Sequence, residues 1–368
     1  MFAFGSIARQ FKAGFTPHIY KAARYYGPGD VRIDDIPEPA VGAGQVKIKV
    51  AWTGICGSDL HSYLSIIPIS PAIAPDYVTG ETLPVVMGHE IAGTVTELGT
   101  GVDSTVLSVG QNVVIEPLIS CMEPSCGPCL VGTRNVCPHA GFIGISGWGG
   151  GLAEYITVNQ EFVHILPSGI PCMNIYSVTE FRSDFLLHGG RCLMEPLAVV
   201  WHAVKRSAFV AGDSALVIGA GPIGLLLLKV LKALGASWIG VCEPSTRRRE
   251  TALKHAASAV YDPLVNDANV AAQVFQATNG HEAMWLTSRY GEVACAQHQH
   301  DGHEGDRIDC YDRVRSRSPE LLEAVAEGRF AGLEELITSK IALEDVVEKG
   351  IKTLLDDKDN QIKILVHP

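Results

Sequence analysis

Apolar and polar residues alternate in short runs through the first half of this chain. Residues 45–50, 91–98 and 112–115 each show the alternation, and glycine or proline residues separate one run from the next. A period of two is typical of strands that place one face in a core and the other toward water. From residue 21 to about residue 167 the pattern therefore predicts an all-β, partly barrel-like domain.

A different pattern begins after residue 213. An apolar strand at residues 215–218 leads into a GAGPIG turn at residues 219–224, and an apolar helix follows over residues 225–234. A second strand ends in Glu243, about twenty residues beyond the turn, which is the spacing found in dinucleotide-binding sites. The glycines let the backbone approach a pyrophosphate at the helix N-terminus. We therefore predict an α/β, Rossmann-like, doubly wound dinucleotide-binding domain.

Glu243 favours NAD over NADP as the cofactor. Its carboxylate would bind the hydroxyls of the adenosine ribose and repel a 2′-phosphate. NADP remains an alternative cofactor because of the arginines at positions 247, 248 and 249, since a nearby arginine can accommodate that phosphate. The candidate cofactor-binding residues are Gly219, Gly221, Pro222, Ile223, Gly224, Glu243 and Arg248.

The pattern weakens after residue 262. A helix at residues 246–255 and a strand at residues 259–262 complete one half of the predicted domain. The second half should bring further strands at roughly thirty residues per strand–helix–strand unit. Residues 281–310, however, contain no hydrophobic run suited to a buried parallel strand. We expect a polar, disordered segment there, an apparently truncated second half, and weak binding of NAD.

Two further stretches shape the domain boundaries. Residues 172–194 show neither clean periodicity nor helix caps, and we predict an atypical insertion. Near the end of the chain, Ser318 and Pro319 predict the start of a helix. Residues 343–355 predict a second amphipathic helix and residues 362–366 a closing strand. The predicted units are an N-terminal extension at 1–20, a β-rich domain at 21–171, the insertion at 172–194, the cofactor domain at 195–317 and a C-terminal part at 318–368.

Charge and cysteine usage limit the partners and the compartment. The 368 residues carry a formal net charge of −11. This acidity argues against nucleic acid or an anionic membrane surface as a partner, and no apolar run approaches a membrane span in length. Ten cysteines without an evident secretory signal favour a reducing compartment, so we expect a cytoplasmic protein. The N-terminal segment contains Arg9 and Lys12 and no acidic residue, so a mitochondrial transit peptide is the alternative. An N-terminal extension without a targeting role is favoured.

Several potential metal ligands lie in separate segments of the chain. Cys56 follows the strand at residues 45–50, His89 and Glu90 follow a glycine, and Glu195 precedes a helical pattern. A thiolate, an imidazole and a carboxylate suit a catalytic zinc, which takes three protein ligands and keeps one position open. We therefore predict a catalytic zinc site.

Four cysteines form a second potential metal site. Cys121, Cys126, Cys129 and Cys137 have the spacing C-x4-C-x2-C-x7-C, with glycines between them that can form tight turns. Four thiolates with one C-x2-C pair favour a closed, tetrahedral, structural zinc over four unrelated thiols. The sequence thus predicts two zinc ions per chain.

Taken together, the motifs resemble those of the zinc-dependent medium-chain dehydrogenases, in their polyol and butanediol dehydrogenase branch. The likeness runs from about residue 21 to residue 266 and resumes near residue 318. It implies a GroES-like, partly open β-barrel catalytic domain, a Rossmann-like cofactor domain, and a C-terminal end that rejoins the catalytic domain. The matching motifs are GICGSDLH at 54–61, GHE at 88–90, the cysteines at 121–137, EPLAV at 195–199 and GAGPIG at 219–224.

The resemblance also implies a reaction. Members of this family oxidise a secondary alcohol, diol or polyol to a ketone, with zinc on the substrate oxygen and NAD⁺ as the hydride acceptor. Ser58 and His61 match the family's proton relay. Glu90 and Glu195 both match positions that bind zinc in relatives. We expect Glu195 to bind the zinc in the resting enzyme, with Glu90 nearby as a supporting group or as a ligand that exchanges with it. A homodimer or homotetramer is implied as well.

A different class of protein remains as the alternative. If residues 172–194 and 281–310 interrupt the fold, the chain could be a zinc-stabilised relic or a mis-spliced product without activity. NADH production from 2,3-butanediol or sorbitol would separate the two hypotheses. The identity and stereochemistry of the substrate stay open at this point.

Overall fold

The computed structural model describes residues 18–65, 70–166, 189–265, 269–281, 283–289, 292–296, 314–330 and 332–368. The predicted N-terminal extension therefore lies almost entirely outside the described residues. Most of the predicted insertion and most of the segment 281–310 lie outside them too.

Strands account for most of the regular structure in the first part of the chain. They are β1 (Ile19–Gly27), β2 (Asp30–Pro37), β3 (Gln45–Gly54), β4 (Val85–Val86), β5 (Glu90–Leu98), β6 (Asn112–Ile115), β7 (Leu118–Ile119), β8 (Gly141–Phe142), β9 (Tyr155–Asn159) and β10 (Val163–Ile165). Later in the chain follow β11 (Ser214–Ile218), β12 (Trp238–Cys242), β13 (Ala259–Tyr261), β14 (Met284–Arg289), β15 (Glu292–Ala296), β16 (Ile337–Ala342) and β17 (Lys363–His367).

The α-helices of the described residues are mostly short. They are α1 (Gly57–Tyr63), α2 (Ser70–Ile73), α3 (Gly127–Leu130), α4 (Met194–Arg206), α5 (Pro222–Ala233), α6 (Thr246–Lys254), α7 (Val270–Ala277), α8 (Val314–Ala326) and α9 (Lys352–Asp356). None of them has the length and apolar character needed to cross a membrane.

The predicted β-rich domain is confirmed. Its main sheet has seven strands in the order β10-β6-β5-β3-β17-β16, with β9 also pairing with β3, and a smaller sheet has the order β2-β1-β4. The alternation read from the sequence places Val46, Ile48 and Val50 of β3 in the core, each at most 4% exposed. Because β17 pairs with β3, the end of the chain rejoins this domain, as expected.

The cofactor domain is also confirmed, and its sheet has two strands, β14 and β15, that the sequence pattern does not predict. The order is β13-β12-β11-β14-β15. The first four strands are parallel, β14 pairing with β11 from Ala215↔Met284 to Ile218↔Thr287, whereas β15 runs antiparallel beside β14.

The expectation that residues 281–310 supply no buried strand is therefore wrong for β14. Met284 and Leu286 are 4% and 0% exposed, so two inward positions in alternation suffice to hold this strand on the sheet. A buried parallel strand usually has a longer hydrophobic run, so the short apolar pattern of β14 does not predict one. Apart from β14 and β15, nearly all of residues 281–310 lie outside the described residues.

The end of the predicted insertion belongs to the folded core. Residues 189–193 form a 3₁₀ turn and α4 begins at Met194. Cys192 and Leu193 are each 1% exposed, and the Cys192 thiol donates to the Trp52 carbonyl over 3.0 Å. The insertion itself stays a prediction, because residues 172–188 lie outside the described part of the chain.

Two predictions for the C-terminal part need correction. Helix α8 begins at Val314, so Ser318 and Pro319 lie within it and do not start it. The predicted helix at residues 343–355 consists of a 3₁₀ turn, a π-helical segment at Val346–Ile351 and α9.

Candidate catalytic and metal-binding sites

Three of the predicted zinc ligands meet where β3 ends and β5 begins. The ligand atoms of Cys56, His89 and Glu90 all lie within 4.8 Å of one another. Cys56 caps the N-terminus of α1, directly after β3. Gly88 has a φ of +93°, and a Cβ there would lie 2.8 Å from the Leu152 amide nitrogen, so this turn into His89 requires glycine.

The surroundings of His89 suit a metal ligand. His89 is 3% exposed. Burial by itself lowers the pKa of His89, but Asp59 and Cys56 raise it well above its usual value. An imidazole held against a thiol and two carboxylates has a strongly negative environment, which favours a bound cation. The set of sulfur, nitrogen and oxygen donors therefore fits zinc.

Asp59 belongs to this site although the sequence pattern did not single it out. It is 1% exposed, and its Oδ2 accepts a hydrogen bond from the Cys56 amide over 2.9 Å. Its Oδ1 lies 3.8 Å from His89 Nδ1. Neither of these two atoms has a hydrogen-bond partner among the described residues. Asp59 thus orients the backbone of one ligand and faces the ring of another, an arrangement typical of groups that support a metal site.

Lys363 is a second unpredicted member of the site. Its Nζ donates to Glu90 Oε1 and Oε2 over 2.6 and 2.8 Å, and to the Ile55 carbonyl over 3.1 Å. An ammonium group has three donors, so all are used. Lys363 and Glu90 are 3% and 0% exposed. Burial lowers the pKa of Lys363, but Glu90 and Cys56 outweigh it and raise the pKa, which keeps the ammonium charged.

Glu195 lies in the first turn of α4, outside the group of atoms within 4.8 Å. Burial raises its pKa to about 7 although His89 opposes the shift. A carboxylate in this position is stabilised by a nearby cation. The structure thus groups Glu90, not Glu195, with Cys56 and His89. The expectation that Glu195 completes the zinc shell at rest stays a prediction.

The two residues of the expected proton relay lie on α1. Ser58 Oγ is 3.3 Å from His89 Nε2. His61 lies three positions after Ser58, so both project from neighbouring turns of one helix. Burial lowers the pKa of His61, so its ring is neutral at pH 7 and able to accept a proton.

The four cysteines come together as predicted. All four sulfur atoms lie within 4.8 Å of one another. The Sγ–Sγ distances are 3.5 Å between Cys137 and Cys121, and 3.8 Å both between Cys121 and Cys129 and between Cys126 and Cys137. Zinc–sulfur bonds of about 2.3 Å in tetrahedral geometry place two sulfurs roughly 3.8 Å apart. The cluster therefore fits a zinc ion without rearrangement.

The glycine turn has the form that a pyrophosphate requires. Gly219 has a φ of +95°, and a Cβ on Gly224 would lie 2.0 Å from the Gly219 oxygen. At Gly221, the residue before α5, Arg248 Nη1 at 3.8 Å is the only atom of the described residues within 4 Å of a Cβ position. This leaves an open cradle at the N-terminus of a long apolar helix, with a guanidinium at its edge.

Glu243 and the arginines have distinct contacts. Glu243 is 5% exposed, and its two oxygens accept from the Ala220 amide over 2.7 Å and the Ser245 amide over 2.9 Å. Arg249 donates to the Glu243 carbonyl and pairs with Asp262. Arg249 therefore has a structural role, while Arg248 remains beside the cradle.

Comparison with known proteins agrees with the family that the sequence motifs predict. The family described as Alcohol dehydrogenase GroES-like domain matches residues 42–168. The chain is similar to (R,R)-butanediol dehydrogenase of Bacillus subtilis (strain 168), with 36% identity over 95% of this chain and 99% of the relative. It is also similar to sorbitol dehydrogenase of that bacterium, with 27% identity over 96% and 98% of the two chains.

A solved structure agrees with these similarities. The crystal structure of 2R,3R-butanediol dehydrogenase from Bacillus subtilis matches with a TM-score of 0.73 and 32% identity, over 95% of this chain and 99% of that chain. The relatives match nearly the whole chain, so the hypothesis of an inactive relic is not favoured.

Proposed function

Because this chain belongs to the zinc-dependent medium-chain dehydrogenases, in the branch of polyol and butanediol dehydrogenases, we propose that its substrate is a vicinal diol of the 2,3-butanediol type. The protein is an alcohol or polyol dehydrogenase. In the proposed reaction one carbinol loses a hydride to NAD⁺ and a proton to solvent, which gives a hydroxyketone and NADH. The observation that carries the proposed zinc-dependent reaction is the meeting of Cys56, His89 and Glu90 within 4.8 Å; the relatives named butanediol dehydrogenase support the substrate.

In the proposed mechanism, Cys56 and His89 hold the zinc together with Glu195 or Glu90. Zinc, when bound, polarises the substrate oxygen and makes its proton easier to remove. Asp59 orients the Cys56 backbone and faces the His89 ring.

The proton leaves by the relay on α1. Ser58 Oγ, next to His89, can accept the alcohol proton and donate its own onward. His61 accepts it next, since a neutral imidazole has one ring nitrogen that can take a proton. Burial lowers the pKa of this ring, which favours passing the proton on.

NAD is the proposed cofactor, bound at the glycine turn. The pyrophosphate would lie at the N-terminus of α5, and Glu243 would face the adenosine ribose. We also propose two zinc ions per chain, a homodimer or homotetramer, and a cytoplasmic location. Metal analysis, light scattering and fractionation would each test one of these points.

The reaction is tested by following NADH absorbance with the stereoisomers of 2,3-butanediol and with sorbitol, using NAD or NADP. We expect turnover of a butanediol stereoisomer with NAD and none with Cys56→Ser. Equal activity of Cys56→Ser would refute the assignment of the site. A preference for sorbitol would change the substrate but not the site.

Zinc content separates the roles of the two carboxylates. If Glu195 is the ligand at rest, Glu195→Gln should lose about one zinc per chain, whereas Glu90→Gln should keep two, assuming the usual three protein ligands of a catalytic zinc. The reverse pattern would identify Glu90 as the resting ligand.

A further inference from the structure

Tyr77 connects a short turn to the cysteine lobe, which we define as residues 121–139. Its ring stacks on His139 with centroids 3.5 Å apart and an interplanar angle of 10°. Its hydroxyl donates to Glu123 Oε1 over 2.8 Å. Because Tyr77 is 56% exposed, these two contacts, not burial in a core, hold its ring in place.

Both partners of Tyr77 lie directly beside the cysteine sulfurs. The His139 amide donates to Cys137 Sγ over 3.4 Å, and the Glu123 backbone forms a hydrogen bond with Cys121. Such bonds orient metal ligands and strengthen when the sulfurs are thiolates. The position of His139 and Glu123 therefore depends on the state of the cluster.

The other side of Tyr77 is a turn tied to the glycine-rich loop at residues 141–151. Asp76 caps the turn by accepting from two of its backbone amides. Thr79 Oγ1 donates to the Ser146 carbonyl over 2.7 Å, and Glu81 Oε1 accepts from the Trp148 amide over 2.8 Å. Trp148 has a φ of +58°, an uncommon conformation that its surroundings must hold.

The glycine-rich loop in turn packs against the segment that carries His89. A Cβ on Gly144 would lie 2.0 Å from the Gly88 oxygen, so the two backbones are in direct contact. The Gly151 amide also donates to the Gly88 oxygen over 2.8 Å. A shift of this loop would therefore move the backbone next to the zinc ligand.

From this chain of contacts we propose that Tyr77 is a positioning residue that couples the cysteine lobe to the catalytic metal site. Metal binding by the four cysteines fixes His139 and Glu123, these fix Tyr77 and its turn, and the turn fixes the loop behind His89. The inference rests on the structural zinc of the proposed function.

The test measures zinc release from the full-length, zinc-loaded protein into an excess of a chelating dye. Cys56→Ser and Cys129→Ser assign the two release phases to the catalytic and the lobe zinc. We expect Tyr77→Ala to release the catalytic zinc about tenfold faster, the low end of the effect of supporting groups on metal affinity. Tyr77→Phe keeps the stacked ring and should stay within about twofold of wild type.

Two further variants make the result specific. Thr79→Val removes the bond to Ser146 and the bond from the Glu81 amide to Thr79 Oγ1, both outside the lobe, and should also release the catalytic zinc faster. Phe275→Ala removes a ring that is 54% exposed on α7, as a matched control, and should not change the rate.

The outcomes distinguish the inference from the proposed function. Two phases with an unchanged catalytic phase in both Tyr77→Ala and Thr79→Val would overturn the coupling alone. A wild-type release of one zinc per chain that Cys56→Ser abolishes and Cys129→Ser leaves unchanged would overturn the proposed lobe zinc, and the coupling with it.

Discussion

Single residues decide how the catalytic site is held together, and the pair formed by Lys363 and Glu90 is the clearest case. Replacing Lys363 by Met should lower the free energy of unfolding by about 3–5 kcal/mol, because it leaves a buried carboxylate without its partner. Urea unfolding of the zinc-loaded protein measures this change.

The double variant Lys363→Met, Glu90→Gln is the matched control. It removes both charges, so it should unfold at a higher urea concentration than the single Lys363→Met variant. If the double variant were the less stable of the two, the unpaired charge would not explain the loss.

Glu243 leads to a prediction about the cofactor. Glu243→Ser should narrow the preference for NAD over NADP by about tenfold, equivalent to about 1.4 kcal/mol, because the negative charge near the 2′ position is lost. The ratio of kcat/KM values for the two cofactors measures it.

Glu243→Gln separates charge from structure in this experiment. Gln keeps an oxygen that can accept from the Ala220 amide, so it should also narrow the preference. A wild-type protein that prefers NADP would instead assign the choice to Arg248.

The residues found by motif and those that were not differ in a physical way. Cys56 and His89 can be predicted because each lies in a short motif, GICGSDLH and GHE. Asp59 and Lys363 are not predicted, because their roles come from tertiary contacts; Lys363 lies 273 positions from Glu90. The sequence signal for Lys363 is a charged residue directly before three apolar residues of a strand.

Among the secondary-structure elements, β14 has the most direct consequence for the cofactor sheet. Leu286 is fully buried on this strand. Leu286→Ala should cost about 2–5 kcal/mol of stability through the cavity it leaves. Thermal unfolding with and without NADH measures it, and Leu253→Ala, at a side chain that is 49% exposed on α6, is the control.

Elements with long, regular patterns could be predicted, whereas elements stabilised mainly by their neighbours could not. The alternation in β3 and the strand–turn–helix pattern around Gly221 are sufficient to predict those elements from the sequence. Strand β14 has only a short apolar pattern and is stabilised by pairing with β11. The predicted start of α8 is wrong because Ser318 and Pro319 have the pattern of a helix start, whereas the helix begins four residues earlier, at Val314.

For the whole molecule, the two metal sites should differ in what they support. Cys129→Ala should lower the melting temperature by about 5 °C or more, since each kcal/mol corresponds to roughly 2–4 °C in a domain of about 150–250 residues. Cys56→Ala should abolish turnover with a smaller thermal effect, because that site supplies chemistry more than folding energy. Calorimetry and NADH formation measure the two effects. If both variants lost the same thermal stability, this division of roles would be wrong.

The pairing of β17 with β3 also bears on how the enzyme is made. Lys363 reaches Glu90 only after β17 has joined the sheet, although every zinc ligand has been synthesised long before. A nascent chain that stops before residue 363 would carry all the ligands but leave Glu90 without its cation. Translation must therefore pass residue 363 before the Glu90 carboxylate is paired, so chains that terminate earlier should hold the catalytic site less stably than chains that include Lys363.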